Sequence, residues 1–333
     1  MLIIFRKIRP AGPAFWAVLR KQVYLKVAEE RLSIGGQAVI EGVMMRNKAN
    51  VAVAVRQEKG NIFVQKMQFH SISERYPFLK WPLFRGVVAF VEALVLGYRT
   101  LSLSAEQVLE GEEEELKGWE LPLTLVISLA AGIGLFILLP TVLMKYLSQG
   151  LESPILLNLC EGLLRLLIFL GYILAISSWK EVRRVFQYHG AEHKAIACFE
   201  AGQPLTVDNA RKYSTLHRRC GTSFLLIVMV ISILLFSFFG WPGLWQRILI
   251  RLLLLPLVAG ISYEGIKLAG VKDNIFTRIL SQPGLWLQLL TTKKPADDQL
   301  EVAISALQAV LPVETAPVSE NIPDNGKSSM EVV

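Results

Sequence analysis

The sequence predicts an α-helical polytopic membrane protein with about four transmembrane helices. A small N-terminal antiparallel β meander and interfacial helices complete the predicted fold, with both termini cytoplasmic. Three observations predict it. Of 333 residues, 53% are hydrophobic and 19% charged, with a mean hydropathy of +0.43, whereas soluble domains carry about 25% charged residues. Long runs hold no charge, "LPLTLVISLAAGIGLFILLPTVLM" being the clearest. Lys and Arg also gather in alternate connections, as the positive-inside rule requires of cytoplasmic loops. The net charge of +7 follows from that distribution. No basic run is interleaved with aromatics as a single-strand binder would need, so no nucleic-acid partner is expected.

Residues 1–80 form the predicted cytoplasmic N-terminal region. Its opening "MLIIFRKIRPAGPAFWAVLR" does not read as a signal peptide, because Arg and Pro interrupt a short apolar run. "GQAVIEGVMMR", "NVAVAVRQ" and "NIFVQKMQF" are rich in Val, Ile and other apolar residues and are split by "NKAN" and "EKGN". They predict a three-stranded meander. Gly35 and Gly36 precede no helix or Lys-Ser/Thr, so they match neither a dinucleotide nor a Walker loop. Glu41 reads as an edge-strand carboxylate, with a side chain pointing at the metal region as the alternative.

Residues 81–110 follow as a long helix with Pro82 in its first turn. Arg85, Glu92, Arg99 and Glu106 recur every seven residues and line one stripe. That pattern predicts a solvated stripe on an amphipathic helix, lying on the membrane or on the protein's own helices. A spanning or re-entrant helix is the alternative.

Four runs then predict spans, at 121–144, 154–178, 222–240 and 248–266; a bilayer requires roughly 20 apolar residues. The second holds Glu161 and Arg165 at helical i, i+4 spacing. They predict an ion pair inside the bundle, since each charge alone is costly in lipid; a role in transport is the alternative. Connections 146–153 and 241–247 carry Glu152 and Arg247 as their only charges. The 179–221 loop holds Lys180, Arg183, Arg184, Lys194, Arg211, Lys212, Arg218 and Arg219. The expected topology is therefore two helical hairpins with short outer turns, in the cytoplasmic (inner) membrane. Residues 267–312 predict an interfacial helix with Trp286 at headgroup level and a short helix starting near Asp297 and Asp298. Residues 313–333 predict a disordered tail. Cys160, Cys198 and Cys220 form no disulfide framework, and the last two are expected to be reduced in the cytoplasm.

The candidate chemistry lies in "QYHGAEHKAIACFEAG", residues 187–202, which contains His189, Glu192 and His193 as H-x-x-E-H. On a helix, the two imidazoles project from one face a turn apart, and neutral imidazole is a good ligand for zinc and similar divalent ions. Glu192 could activate a bound water without ligating, as in inverted zincins. His217 and Cys220 stand as H-x-x-C at the mouth of the third span. Glu264 is an ionisable residue near the cytoplasmic end of the fourth. His189, His193 and one of His217, Cys220 or Glu264 would leave a fourth position open to water, the arrangement of a catalytic zinc. Binding by both His217 and Cys220 would close the site and make it structural.

Together, "IGGQAVIEGVMMR", "RYPFLKWPLFRGV", the 187–202 stretch, "RKYSTLHRRCGTSF", "LLLPLVAGISYEGIKLAG" and "PGLWLQLLTT" resemble the blocks of the YqhQ-like family over about residues 30–312. This is a group of bacterial membrane proteins of unknown function, described as predicted metal-dependent enzymes. The resemblance implies His189, Glu192, His193, His217, Cys220 and Glu264 as site candidates, with no substrate attached. The expected function is a membrane-bound metal-dependent hydrolase, with Glu192 catalytic and a divalent metal such as zinc as cofactor. Its partners would be the lipid bilayer and a substrate or protein at the cytoplasmic face. The alternative is a non-enzymatic scaffold or small-solute carrier, with a structural metal or none.

Overall fold

The apolar run at 36–46 does not form one strand; it folds back on itself at Ile40 and Glu41. In the computed structural model, which describes residues 34–109, 119–147, 150, 152–271 and 275–312, it makes most of β1 (Ile34–Val39) and nearly all of β2 (Gly42–Asn47). With β3 (Asn50–Arg56) and β4 (Ile62–Gln68), these form a four-stranded antiparallel sheet in the order β1-β2-β3-β4, one strand more than the sequence predicts. The β1–β2 turn pairs Val39 with Gly42 and holds Glu41 at φ 50. Two-residue hairpins need such left-handed conformations, usually signalled by Asn-Gly or Asp-Gly. "IE" carries no such signal, so Glu41 is a turn residue rather than an edge-strand carboxylate. The opening residues, the predicted tail and the acidic run at 111–115 lie outside the described residues.

Helices pack on both faces of the sheet, which explains the nearly unbroken burial of its central strands β2 and β3. On one face, Val43, Met45, Ala52 and Ala54 share a core with Tyr188, Ala191 and Ala195 and with Leu300, Ala303 and Leu307. Tyr188, Ala191 and Ala195 come from the helix Lys180–Glu200, and Leu300, Ala303 and Leu307 from the helix Asp297–Val310. On the other face, Val39, Met44, Val51, Val53 and Val55 pack with Leu96 and Leu103. A short helix α1 (Ile72–Arg75), capped by the Ser71 side chain, leads from the sheet to α2 (Phe84–Leu109).

Helix α2 is shared between two environments. Phe90, Val91, Leu94 and Val95 are exposed, whereas Leu96, Thr100 and Ser104 are buried. Ser104 Oγ accepts a hydrogen bond from Ile40 N at 3.2 Å. Its seven-residue charge stripe is correspondingly split, so the single solvated stripe expected from sequence does not form. Arg85 Nε donates to Glu264 Oε1 at 2.6 Å, and Glu92 Oε1 accepts from Ser71 Oγ at 2.7 Å and Ile72 N at 3.0 Å. Arg99 and Glu106 are exposed.

Among the described residues, five helical stretches are long and apolar enough to cross a membrane: Phe84–Val108, Leu123–Leu147, Pro154–Ile176, Gly221–Phe239 and Leu244–Lys267. The first, within α2, adds to the four runs read from sequence. Helix α3 runs Glu120–Ile133, passes through a π-helical stretch Gly134–Leu138 and continues Leu139–Leu147. α4 (Pro154–Ile176) starts with Ser153 as N-cap and Pro154 in its first turn, both favourable there. α5 (Lys180–Glu200) follows closely and ends before Gly202, which takes φ 69. α6 (Val207–Arg211) is capped by Thr206. α7 (Gly221–Phe236) and α8 (Leu244–Val271) run out and back, followed by α9 (Ile275–Thr291) and α10 (Asp297–Val310).

This connectivity gathers the sheet, α5, α6 and α10 at one end of the helical bundle. The start of α4 and the 240–243 connection lie at the other end, joined by Asn158 Nδ2 donating to Gly240 O at 2.7 Å. Leu163, Leu167, Leu234 and Leu253 expose apolar side chains between the two ends, as lipid-facing positions would.

Candidate functional site

Helix α5 brings His189 and His193 onto one face, with their ring centroids 4.4 Å apart. Each ring is anchored by its Nδ1 on a backbone carbonyl. His189 Nδ1 lies 2.8 Å from Thr291 O at the end of α9, and His193 Nδ1 lies 2.5 Å from Thr215 O. A carbonyl only accepts, so both Nδ1 atoms carry the proton and both Nε2 atoms present lone pairs. Such anchoring orients metal-binding histidines and raises their basicity.

Cys220 N-caps α7, and its Sγ lies 3.1 Å from His189 Nε2. Ligand atoms of His189, His193 and Cys220 all lie within 4.8 Å of one another. In a tetrahedral zinc site with Zn–N near 2.0 Å and Zn–S near 2.3 Å, such atoms would stand about 3.3–3.6 Å apart. The donor types suit a small divalent ion, and atoms up to 4.8 Å apart would have to draw together to hold one. His193 Nε2 is buried with no hydrogen-bond partner among the described residues.

Glu192 points from α5 toward β1. Its carboxylate accepts a hydrogen bond from the backbone N–H of Gly36. A Cβ at Gly36 would stand 2.8 Å from both Glu192 Oε1 and Met44 O, so only glycine leaves room for the carboxylate. This gives Gly36 a role, whereas a Cβ at Gly35 would meet nothing within 4 Å. The four side chains are nearly sealed from solvent: His193 is 1% exposed, Glu192 5%, Cys220 7% and His189 9%.

Burial sets their protonation. It pushes Glu192 up to about 8, despite the opposing influence of His189. It also raises the Cys220 thiol and holds His193 well below the ordinary imidazole value, which keeps that ring neutral.

The other sequence candidates have different partners. His217 Nε2 lies 3.3 Å from Glu200 Oε2, and its ring stands beside His193 with centroids 5.6 Å apart. It therefore sits next to the cluster, outside the set of three. Burial lowers its affinity for a proton as well. Glu264 is engaged by Arg85 through both carboxylate oxygens, and is not in the set. Glu41 accepts from Arg184 and, at 3.2 Å, from Tyr188 Oη, tying the β1–β2 turn to α5. Glu161 and Arg165 interact at 3.1 Å in α4, and Arg251 of α8 also holds Glu161 at 2.6 and 2.8 Å.

Several supporting residues carry no sequence motif. Lys194 donates to Arg211 O at 2.8 Å and to Tyr213 O, which holds the segment leading to Thr215. Gln288 is fully buried in α9; it accepts from His217 N at 2.8 Å and donates to His217 O at 2.8 Å and Ser223 Oγ at 3.0 Å. Removing it leaves a buried N–H unsatisfied, at a cost of about 1–3 kcal/mol. Gln288→Ala is therefore expected to lower the unfolding temperature measurably in detergent, and an unchanged temperature would contradict this role.

Comparisons with known proteins converge on one relationship. A family model described as "Protein of unknown function (DUF1385)" matches residues 81–313. That range contains Glu192 and the His189–His193–Cys220 set, but not the sheet. The uncharacterized protein YqhQ of Bacillus subtilis (strain 168) is 37% identical over 294 residues, covering 84% of this chain and 92% of the relative. No solved structure matches. With the family model matching most of the chain and this relative aligned over nearly its full length, the chain belongs to the YqhQ-like family of proteins of unknown function, DUF1385.

Proposed function

We propose that this protein is a membrane-bound, metal-dependent hydrolase. His189, His193 and Cys220 hold a divalent ion, and Glu192 is the acid–base group. One observation carries the reading: the buried, unpartnered Nε2 of His193 lies among three ligand atoms within 4.8 Å of one another. A cation would satisfy that lone pair along with the other two donors. Two nitrogens and one sulfur suit zinc, with a fourth position left for water. Such an ion, when bound, lowers the pKa of its water to near 7 and polarises a carbonyl or phosphoryl oxygen.

A cation bound at the adjacent donors would favour the ionised form of Glu192; its carboxylate, held by Gly36 N–H, could then take a proton from the nucleophile and return one to the leaving group. The apolar helices beside the site support a substrate met at the cytoplasmic membrane face, a peptide or a lipid-linked group. The near-complete burial of all four side chains favours a second reading, a structural ion in a non-enzymatic scaffold.

Elemental analysis of detergent-purified protein tests the metal itself. Wild type, Glu192→Gln and Glu264→Gln are expected to hold about one equivalent of zinc or a similar ion. His189→Ala and Cys220→Ser are expected to lose it. A wild type without metal, or equal metal in wild type and His189→Ala, removes the site. Cobalt substitution separates the two readings. A hydroxamate should shift the visible cobalt bands if a coordination position is open, and leave them unchanged if the ion is structural.

A further inference from the structure

At the far end of the bundle, a second cluster has charges that do not balance. Glu161 of α4 is fully buried. Its Oε1 accepts from Thr141 at 2.7 Å, Arg165 at 3.1 Å and Arg251 at 2.6 Å. Its Oε2 accepts from Arg247 at 3.3 Å and Arg251 at 2.8 Å. A carboxylate offers about four acceptor sites, so five donors saturate it.

Among the described residues, one carboxylate therefore faces three guanidiniums, a surplus of two positive charges on helices apolar enough to span a membrane. Two donors are left over: Arg165 Nε and Arg247 Nε are buried with no partner among the described residues. Uncompensated buried charge is strongly unfavourable, and guanidinium groups pair well with phosphate oxygens.

Two of the three arginines border a narrow cleft of about 10 Å³, and Arg165 is not among the residues that line it. Arg247 and Arg251 line it with Asn158, Phe236, Gly240 and Ile250. Arg247 lies over the Trp241 ring at 4.0 Å and Arg251 over Phe236 at 5.6 Å, which holds both guanidiniums in place. Phe238 and Trp245, which neighbour lining residues in sequence, are among the most exposed apolar side chains of the described residues. Trp in particular favours the headgroup level of a bilayer.

We propose that Arg247 and Arg251 at this cleft form a phosphate-oxyanion site for the headgroup of an anionic phospholipid, with Arg165 adding positive charge from its place on Glu161. Arg247 and Arg251 supply charge and N–H donors to the phosphate, Glu161 fixes their spacing, and the exposed aromatics accommodate the acyl chains. The site shares no residue with the histidine cluster, so the proposal does not depend on how that cluster is read.

The test uses full-length protein in non-ionic detergent, titrated with short-chain phosphatidylglycerol, phosphatidylcholine or inorganic phosphate. Unfolding temperature and native mass spectrometry are the readouts. Phosphatidylglycerol should bind saturably as one lipid per chain and raise the unfolding temperature, with phosphatidylcholine much weaker. Arg247→Gln removes the outermost arginine contact and should weaken phosphatidylglycerol binding about tenfold or more. If that variant does not fold, the wild-type contrast between the two lipids decides. Inorganic phosphate binding as tightly as phosphatidylglycerol would assign the site to free phosphate and overturn the lipid occupant. No saturable phosphatidylglycerol binding, or unaltered binding by folded Arg247→Gln, overturns the proposal entirely.

Discussion

Glu161→Gln is expected to destabilise the protein by about 3–5 kcal/mol, the range for removing one partner of a buried charge network. Gln matches the shape of Glu but brings no negative charge, so three guanidiniums would face one another unscreened. The network joins three helices, because Thr141 lies in α3, Glu161 and Arg165 in α4, and Arg247 and Arg251 in α8. Failure there should loosen the packing of these helices rather than one surface pair. The measurement is the unfolding temperature in detergent, beside Glu161→Gln/Arg165→Gln. The double variant has one fewer uncompensated charge and should recover part of the loss, since contacting residues are not additive. An unfolding temperature for Glu161→Gln equal to wild type would show that the carboxylate does not hold the helices together.

Gly190→Ala should damage both stability and the histidine cluster. A Cβ at this position would lie 2.1 Å from Lys293 O and 3.2 Å from Thr215 Cγ2. The first of these is backbone and cannot rotate away. Lys293 N also donates to Phe186 O at 2.8 Å in the same contact, so α5 and the segment after α9 must separate. That separation pulls Thr291 O from His189 Nδ1 and disturbs Thr215 O beside His193.

Overpacking of this kind costs about 1–3 kcal/mol. Loss of the two ring anchors should reduce any bound metal in parallel. Gly171→Ala, where a Cβ meets nothing within 4 Å, is the control; in a helix it should stabilise by about 0.4–1 kcal/mol. Equal metal content and unfolding temperature for Gly190→Ala and Gly171→Ala would rule out the close approach at Gly190.

Neighbouring residues in the chain were enough to recognise most of the helices and part of the site. Uncharged runs marked the apolar helices because a bilayer demands length and apolarity, both local properties. His189 and His193 shared a face because they are one helical turn apart, and Glu192 came with them. The sheet was legible as a meander but one strand short, since the Ile40–Glu41 turn lacks the residues that normally mark one. α2 was ambiguous because one helix serves both an apolar exterior and the sheet.

The choice among His217, Cys220 and Glu264 could not be made from spacing. It follows from competing partners elsewhere in the fold: Glu200 beside His217, and Arg85 beside Glu264. The narrow space that requires glycine at 36 and 190 depends likewise on chains arriving from distant elements. Arg247 and Arg251 meet Glu161 across 86 and 90 residues of sequence, so i, i+4 reasoning could find Arg165 alone. From sequence came the apolar helices and the paired histidines, which depend on periodicity along a single helix. Which candidate side chains stand together, and the charge surplus, were decided by tertiary structure, because electrostatic partners are selected by distance in space.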